Sequence, residues 1–338
     1  MSKRQNGRWS RREFLSTAAL AGTGALLGLQ SNSFAAEPPP ETTKLTLGWG
    51  DGICQAPQLV AEALLKSEGF TDVQFLQSGG RSGSSVASGK IQITQQFVGP
   101  LIMRIDAGEP VVLLGGGHIG CLELFGTDRV RNVRDLKGKT VVLNVLDGPP
   151  HIFLAIVMAH IGLDPRKDIK IITRPAAEAV RLFEEGKVDA FIASPPAAQE
   201  LRARKVGHIV VDSTTDRPWS QYFCCMVVAN RDFVRKHPVA TKRAMRALLK
   251  SADICALEPE RAARTLVDKG FTKRYDYALQ TMKELPYGKW RDYDPEDTVR
   301  FYSLRLQEVG MIKSSPQKIL AEGTDWRFLR ELKKELKA

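Results

Sequence analysis

The apolar positions of this chain fall into short runs that recur, in the same order, twice. The first series opens with Lys44-Leu45-Thr46-Leu47-Gly48-Trp49, meets Asp51-Gly52, and continues into an apolar segment of helical character. It resumes with Asp72-Val73-Gln74-Phe75-Leu76 and Gly89-Lys90-Ile91-Gln92-Ile93, and closes at Pro100. The second series opens with Thr140-Val141-Val142-Leu143-Asn144-Val145 and Asp147-Gly148. It resumes with Asp168-Ile169-Lys170-Ile171-Ile172 and Gly186-Lys187-Val188-Asp189-Ala190, and closes at Pro196. Matching landmarks lie 96 or 97 residues apart. A single Asp-Gly match marks a turn anywhere, but four landmarks in one order at nearly one offset point to a structural repeat. Each copy reads strand, helix, strand, helix, strand, which predicts a mostly parallel sheet flanked by helices. The fold class is therefore α/β with two lobes, and two such lobes in one chain predict a cleft between them.

The remainder of the pattern joins and covers these lobes. Val111-Val112-Leu113-Leu114 reads as a buried strand leading into Gly115-Gly116-Gly117-His118-Ile119-Gly120-Cys121, where the glycines predict a chain that bends as it leaves one sheet for the other. Ile209-Val210-Val211 reads as a further strand, the polar stretch from Asp212 to Ser220 as a loop, and Tyr222 to Ala229 as the return crossing. Beyond Asp232 the spacing turns helical: from His237-Pro238 through Ala256, from Pro259, from Asp294-Pro295, and from Asp325-Trp326-Arg327-Phe328-Leu329. These helices are expected to pack on lobe one. The expected division is lobe one over residues 44–118 and 226–338, and lobe two over residues 119–225.

The ends and the charge change this picture in one respect. Ser10-Arg11-Arg12-Glu13-Phe14-Leu15, a short Gly- and Ala-rich apolar run from Thr17 to Leu29, and Ser33-Phe34-Ala35 together resemble a twin-arginine export signal over residues 1–35. The run is too mildly apolar for a stable membrane span. Residues 36–43 then form a proline-rich, stiff leader, with cleavage near Ala35 or Ala36. The 338 residues carry a net charge of +11, and removing residues 1–35 takes away five basic groups and one acid, leaving +7. That balance suits an anionic ligand. The basic residues are dispersed, without a dense arm or aromatic interleaving, so no nucleic-acid partner is expected. The five cysteines show no framework spacing, and Cys224 and Cys225 read as part of a buried apolar strand.

Candidate chemistry lies at the turns that follow strands, because ligands of parallel sheets bind at the strands' carboxyl ends. The turn after the first strand holds Asp51, Cys54 and Gln55. The second, Ser78 to Ser85, offers Gly80, Arg81 and Ser82: free N–H groups, a hydroxyl and a guanidinium suited to a carboxylate or sulfonate. A helix is expected to start near Ser84. The corresponding turns of the second copy hold Gly148 with His151, and Arg174. Gln96 and Ser194 end the third strands and can orient a polar ligand. Trp219 and Tyr222, near the return crossing, can cover an organic tail, and His118 sits at the hinge. His160 is expected mid-helix in a structural role. No metal-ligand spacing, no Gly-x-Ser-x-Gly and no Walker loop occurs, so no metal, cofactor or catalytic set is expected.

Several of these segments together resemble a known family. The first strand, Ala56-Pro57, Gly79-Gly80, Ala87-Ser88-Gly89-Lys90-Ile91-Gln92-Ile93, Asp135-Leu136-Lys137-Gly138-Lys139-Thr140-Val141, Gly162-Leu163-Asp164-Pro165 and Gly186-Lys187-Val188-Asp189-Ala190-Phe191 are similar to the periplasmic substrate-binding proteins of ABC importers for nitrate, sulfonates and taurine, a set that includes thiamine-pyrimidine binders. The resemblance implies a type II periplasmic binding-protein fold that closes about Gly115–Cys121 and Asp212–Tyr222. It implies a periplasmic monomer that captures a small organic anion, sulfonate- or carboxylate-like, and delivers it to an ABC permease. Export by the twin-arginine machinery is the implied route. Gly148-Pro149-Pro150-His151 stands where the family often has Gly-Ser, which removes a hydroxyl and an N–H donor, argues against nitrate or a simple sulfonate and leaves room for a larger organic ligand. The same fold also serves a sulfinate desulfinase with a cysteine after strand one, where this chain has Cys54, so a cysteine-dependent enzyme is the alternative. A further alternative is a binding subunit that presents its ligand to a membrane sensor.

Overall fold

In the computed structural model, residues 37–50, 52–78 and 82–337 are described. The export pattern, Asp51, Gly80 and Arg81 lie outside the described residues. Residues Pro40–Ala338 form one compact unit, which carries both sheets.

Two five-stranded sheets form among the described residues, each built on one copy of the repeat. In the first copy β1 (Lys44–Trp49), β2 (Asp72–Gln77) and β3 (Ile93–Phe97) pair in parallel, with Lys44 beside Asp72 and Leu47 beside Ile93. β4 (Val111–Ile119) completes this sheet only through β10 (Phe223–Asn230), which runs antiparallel to both β3 and β4 and gives the order β2-β1-β3-β10-β4. The second copy supplies β6 (Thr140–Leu143), β7 (Lys170–Thr173) and β8 (Ala190–Ala193), again parallel. Here β5 (Glu123–Gly126) is the antiparallel fourth strand, flanked by β9 (His208–Asp212), in the order β7-β6-β8-β5-β9. The sheets have the same plan and exchange their fourth strands along the chain: β5 enters lobe two before its repeat, and β10 returns to lobe one after it. The return strand starts at Phe223, three residues ahead of the expected lobe boundary at residue 226.

The glycines at Gly115–Gly117 lie inside β4, not at a bend. Packing accounts for them. A Cβ on Gly116 would overlap the Phe223 ring on the neighbouring strand, and one on Gly117 would come 2.9 Å from the Cys225 carbonyl oxygen. The turn comes later, at Gly120 and Cys121, where φ is 70° and 117°.

The C-terminal helices follow the sequence signals. Pro238–Leu257 and Pro259–Asp268 each carry proline in the first turn. Pro295–Glu308 is capped by Asp294, whose carboxylate accepts from the Glu296 N–H at 2.8 Å. The expected stiff leader is anchored at its end: the Glu41 carboxylate accepts from the Val239 and Ala240 N–H groups at 2.9 and 2.8 Å, capping the start of Pro238–Leu257 from a distant part of the chain. Burial opposes the charge on Glu41, but those N–H groups hold its pKa below the ordinary value.

The helices pack on lobe one, as expected, but two of them also reach lobe two: Tyr275–Glu284, and Pro295–Glu308, which packs against helix Pro149–His160. In the first of these, Glu284 accepts from Arg202 and from Gln199 (2.5 and 3.1 Å). A second bridge between the lobes is aromatic. Phe153 of helix Pro149–His160 meets Phe97 of β3 edge-on at 6.2 Å between ring centres and Trp219 at 5.5 Å, and Trp219 meets Phe301 at 5.7 Å. Trp219 is thus a buried core residue. His160 ends its helix instead of lying mid-helix, with its ring 5.6 Å from that of Trp219.

Candidate functional site

The carboxyl ends of β1 and β3 face those of β6 and β8 across a crevice, as the strand-turn argument requires. After β1 the chain passes Gly50 and enters a short 3₁₀ turn, Ile53–Gln55. Gln55 locks this turn onto β3: its side-chain oxygen accepts from the Gly50 N–H at 3.1 Å and its amide donates to the Gln95 carbonyl at 2.6 Å. Tyr287 donates from its hydroxyl to the Cys54 carbonyl at 3.1 Å. The turn also touches the other lobe, since the Ile53 N–H donates to the Pro195 carbonyl at 3.1 Å.

A cavity of about 110 Å³ opens beside this contact. Lobe one contributes Gly52, Cys54, Gln55, Ser82 and Gln96 to its walls, and lobe two contributes Asn144, Pro149, Pro150 and Ser194. Cys121 and Cys225, from the two crossings, complete the lining. Amide and hydroxyl groups therefore converge from both lobes, and none of the described lining residues carries a formal charge. One water needs about 10–15 Å³ of such space, so the cavity has room for several waters or a small organic ligand. Pro149 and Pro150, from the Gly148-Pro149-Pro150 turn, form part of one wall.

Of the expected site residues, Cys54, Gln55, Ser82, Gln96 and Ser194 come together here. Ser82 starts a helix, Ser82–Ala87, two residues earlier than expected, and its hydroxyl lies 2.6 Å from that of Ser78. Among the described residues, Gly148, His151, Arg174, Tyr222 and His118 are not part of the cavity walls. Gly148 caps helix Pro149–His160. His151 accepts at Nδ1 from the Asp147 N–H at 3.0 Å, and burial, against the pull of the Asp147 carboxylate, lowers its pKa. Arg174 donates to the Thr173 carbonyl at 2.7 Å and pairs with Glu178 at 3.2 Å on the surface. Tyr222 stacks on Phe301 with 4.0 Å between ring centres.

His118 is fully buried below the cavity, within a group of cysteines that are scattered along the sequence. Cys54, His118, Cys121 and Cys225 bring one nitrogen or sulfur each to within 4.8 Å of one another. Cys224 flanks them, its Sγ 3.3 Å from that of Cys121. Thiol contacts from Cys121, Cys224 and Cys54, aided by the charge on His118, hold Cys225 well below the ordinary thiol value against the effect of burial. Burial opposes a charge on His118, but the neighbouring Cys225 and Cys54 sulfurs outweigh it and push the ring up to about 10. For Cys54 the Cys121 contact lowers the pKa, but Cys225 and burial raise it and prevail. Neither Cys121 nor Cys225 stands out in the sequence as a site residue. They are 104 residues apart in a chain with no spacing motif, and only the pairing of β10 with β4 joins them.

The family follows from the comparison of this chain with known ones: the model of the NMT1-like family matches residues 38–267. The chain belongs to the NMT1-like family. Among curated relatives, the bicarbonate-binding protein CmpA of a Synechococcus strain is 28% identical over 109 residues, 32% of this chain and 24% of that protein. The chain thus matches about a quarter of the length of these curated relatives. Among solved structures, the periplasmic nitrate-binding protein NrtA from Synechocystis has a TM-score of 0.73 at 16% identity, covering 88% of this chain and 90% of that one. The alkanesulfonate-binding protein SsuA from Xanthomonas axonopodis, bound to MOPS, has a TM-score of 0.66 at 17% identity, covering 86% and 100%. A desulfurization enzyme, DSZB, shares the fold at a TM-score of 0.60 and 14% identity, covering 87% and 99%. This NMT1-like chain therefore has the periplasmic binding-protein fold, and most of these similar proteins are named for binding small anions.

Proposed function

We propose that this chain is an exported solute-binding protein that captures a small organic anion, sulfonate- or carboxylate-like, between its lobes and delivers it to an ABC import permease. The observation that carries this reading is the cavity walled by Gln55, Ser82 and Gln96 from one lobe and Asn144 and Ser194 from the other. A ligand that bonds to both walls favours the closed arrangement over the open one. The anion class draws on the names of CmpA, NrtA and SsuA, on the +7 balance of the chain beyond residue 35, and on the expected role of Arg81 beside Ser82. The Ser10-Arg11-Arg12 pattern supports twin-arginine export to the periplasm. The protein is taken to act as a monomer.

The test is a thermal-shift and calorimetric screen of short-chain carboxylates, sulfonates, bicarbonate and nitrate. A binder gains melting temperature with one compound class in a concentration-dependent way. A flat response across all of them refutes the reading.

One observation favours a second reading. Cys54 lines the cavity in the turn after the first strand and shares a cluster with His118, so a desulfinase-like reaction at its sulfur is the alternative. The raised pKa of Cys54 counts against it, since a nucleophile must be a thiolate. Turnover of an aryl sulfinate that vanishes in Cys54→Ser would establish it.

A further inference from the structure

Three chain segments converge below the cavity. Cys54 comes from the turn after β1, His118 and Cys121 from the end of β4 and the crossing beyond it, and Cys225 from β10. Their three sulfurs and one ring nitrogen all lie within 4.8 Å of one another, and all four residues are buried. A tetrahedral zinc site with Zn–S near 2.3 Å and Zn–N near 2.0 Å sets its ligand atoms roughly 3.5–3.8 Å apart. The group is thus at most about 1 Å wider than such a site, a difference that small side-chain rotations close.

A second observation points to an ion. The His118 ring is completely buried, and its Nε2 has no hydrogen-bond partner. Its Nδ1 lies 3.3 Å from the Ile119 carbonyl oxygen. Donation from Nδ1–H to that carbonyl leaves the Nε2 lone pair for a metal, the arrangement by which ligating imidazoles are held in tautomer and orientation. Cys121 adds to this, because its φ of 117° is one that a residue with a side chain rarely adopts.

We propose that Cys54, His118, Cys121 and Cys225 form a Cys₃His site that takes one thiophilic metal ion of the Zn²⁺ type at the floor of the cavity. Three thiolates and an imidazole in tetrahedral disposition select such ions over Mg²⁺ or Ca²⁺, which require oxygen ligands. Loading releases the thiol protons to solvent and leaves the imidazole neutral. The rival chemistry is oxidation. The sulfurs of Cys121 and Cys224 are 3.3 Å apart, well beyond a disulfide bond of about 2.05 Å, and both cysteines are free. Metal at Cys121 would withdraw that thiol from oxidation with Cys224.

The inference is independent of the anion reading, and its test needs no organic ligand. The full chain, reduced, is titrated with Zn²⁺ and separately with Co²⁺, then desalted. The expected result is one equivalent of retained Zn²⁺ per chain by elemental analysis. The Co²⁺ form should show thiolate-to-metal charge transfer in the near ultraviolet and the visible bands of a tetrahedral site. Cys121→Ser and Cys225→Ser should each weaken retention about tenfold or more. Cys255→Ser, in helix Pro238–Leu257 and outside the cluster, should leave it unchanged. Substoichiometric Zn²⁺, a Co²⁺ spectrum without thiolate bands, or full retention in Cys225→Ser overturns the proposal. So does a Cys121–Cys224 disulfide in the purified chain that, once reduced, yields no metal binding. If a serine variant fails to fold, the wild-type Co²⁺ spectrum decides alone.

Discussion

Ile53 and Pro195 are joined across the crevice by a backbone hydrogen bond of 3.1 Å, from the N–H of one to the carbonyl of the other. Ile53 opens the turn after β1 and Pro195 follows β8, so the bond ties the corresponding ends of the two repeats. It stands beside the cavity and links the two lobes directly.

The Ile53 donor can be removed within the backbone geometry of the turn, with loss of some of the packing of the buried Ile53 side chain. Ile53 is the first residue of its 3₁₀ turn, a position that tolerates proline. Gly52 before it has φ −91° and ψ 120°, the extended conformation that a following proline requires. Ile53→Pro should cost about 1 kcal/mol of closure, seen as roughly a fivefold loss of ligand affinity by calorimetry. An unchanged affinity would show that this bond does not contribute to closure.

Gly116 is held by the Phe223 ring. Gly116→Ala places a methyl where that ring packs, and the close-packed strand pair cannot yield cheaply. A loss of about 1–3 kcal/mol is expected in urea unfolding. A variant as stable as the parent would mean that β4 and β10 can part at no cost.

Glu68 and Arg246 form an ion pair of 2.6 Å, with side chains only 10% and 8% exposed. Removing one partner leaves the other charge buried. Glu68→Ala should therefore destabilise the fold by about 3–5 kcal/mol, read from the denaturant midpoint. Arg246 also meets Glu335 at 2.7 Å, so the lower end of that range is expected.

Glu123 gives a pH dependence of definite sign. Burial pushes its carboxyl up to about 7; Arg202, at 3.3 Å, pulls it down, and Asp212 and Glu284 push it up again. The folded value lies above the ordinary 4.5, so between about 4.5 and 7 the folded state keeps a proton that the unfolded chain releases. This contribution to stability is present in full below the lower value, falls as pH rises, and is gone above the higher one. Glu123→Gln should flatten that slope in urea midpoints measured across the same range. A slope as steep as the parent's would assign it to another group.

Much of the plan was legible in the chain. The repeated runs at residues 44–100 and 140–196 name the three parallel strands of each sheet, because two sheets built alike need the same spacing of apolar positions. The prolines at Pro238, Pro259 and Pro295 mark helix starts, because a proline lacks the N–H that a first turn leaves unpaired. Cys54, Gln55, Ser82, Gln96 and Ser194 were legible as cavity residues because each follows a strand or ends one.

Other features depended on neighbours that no local pattern records. Gly115–Gly117 read as a bend, and only the place of Phe223 on the adjoining strand shows that close packing is what demands them. Arg174 and His151 sit at the right kind of turn, but Glu178 and Asp147 engage them there. The sequence by itself determined the elements, the duplication and the strand-end turns, since these follow from periodicity and backbone chemistry within a few residues. The tertiary structure alone decided the thiol cluster. Its members stand up to 171 residues apart, from Cys54 to Cys225, and share one space only because β10 returns between β3 and β4.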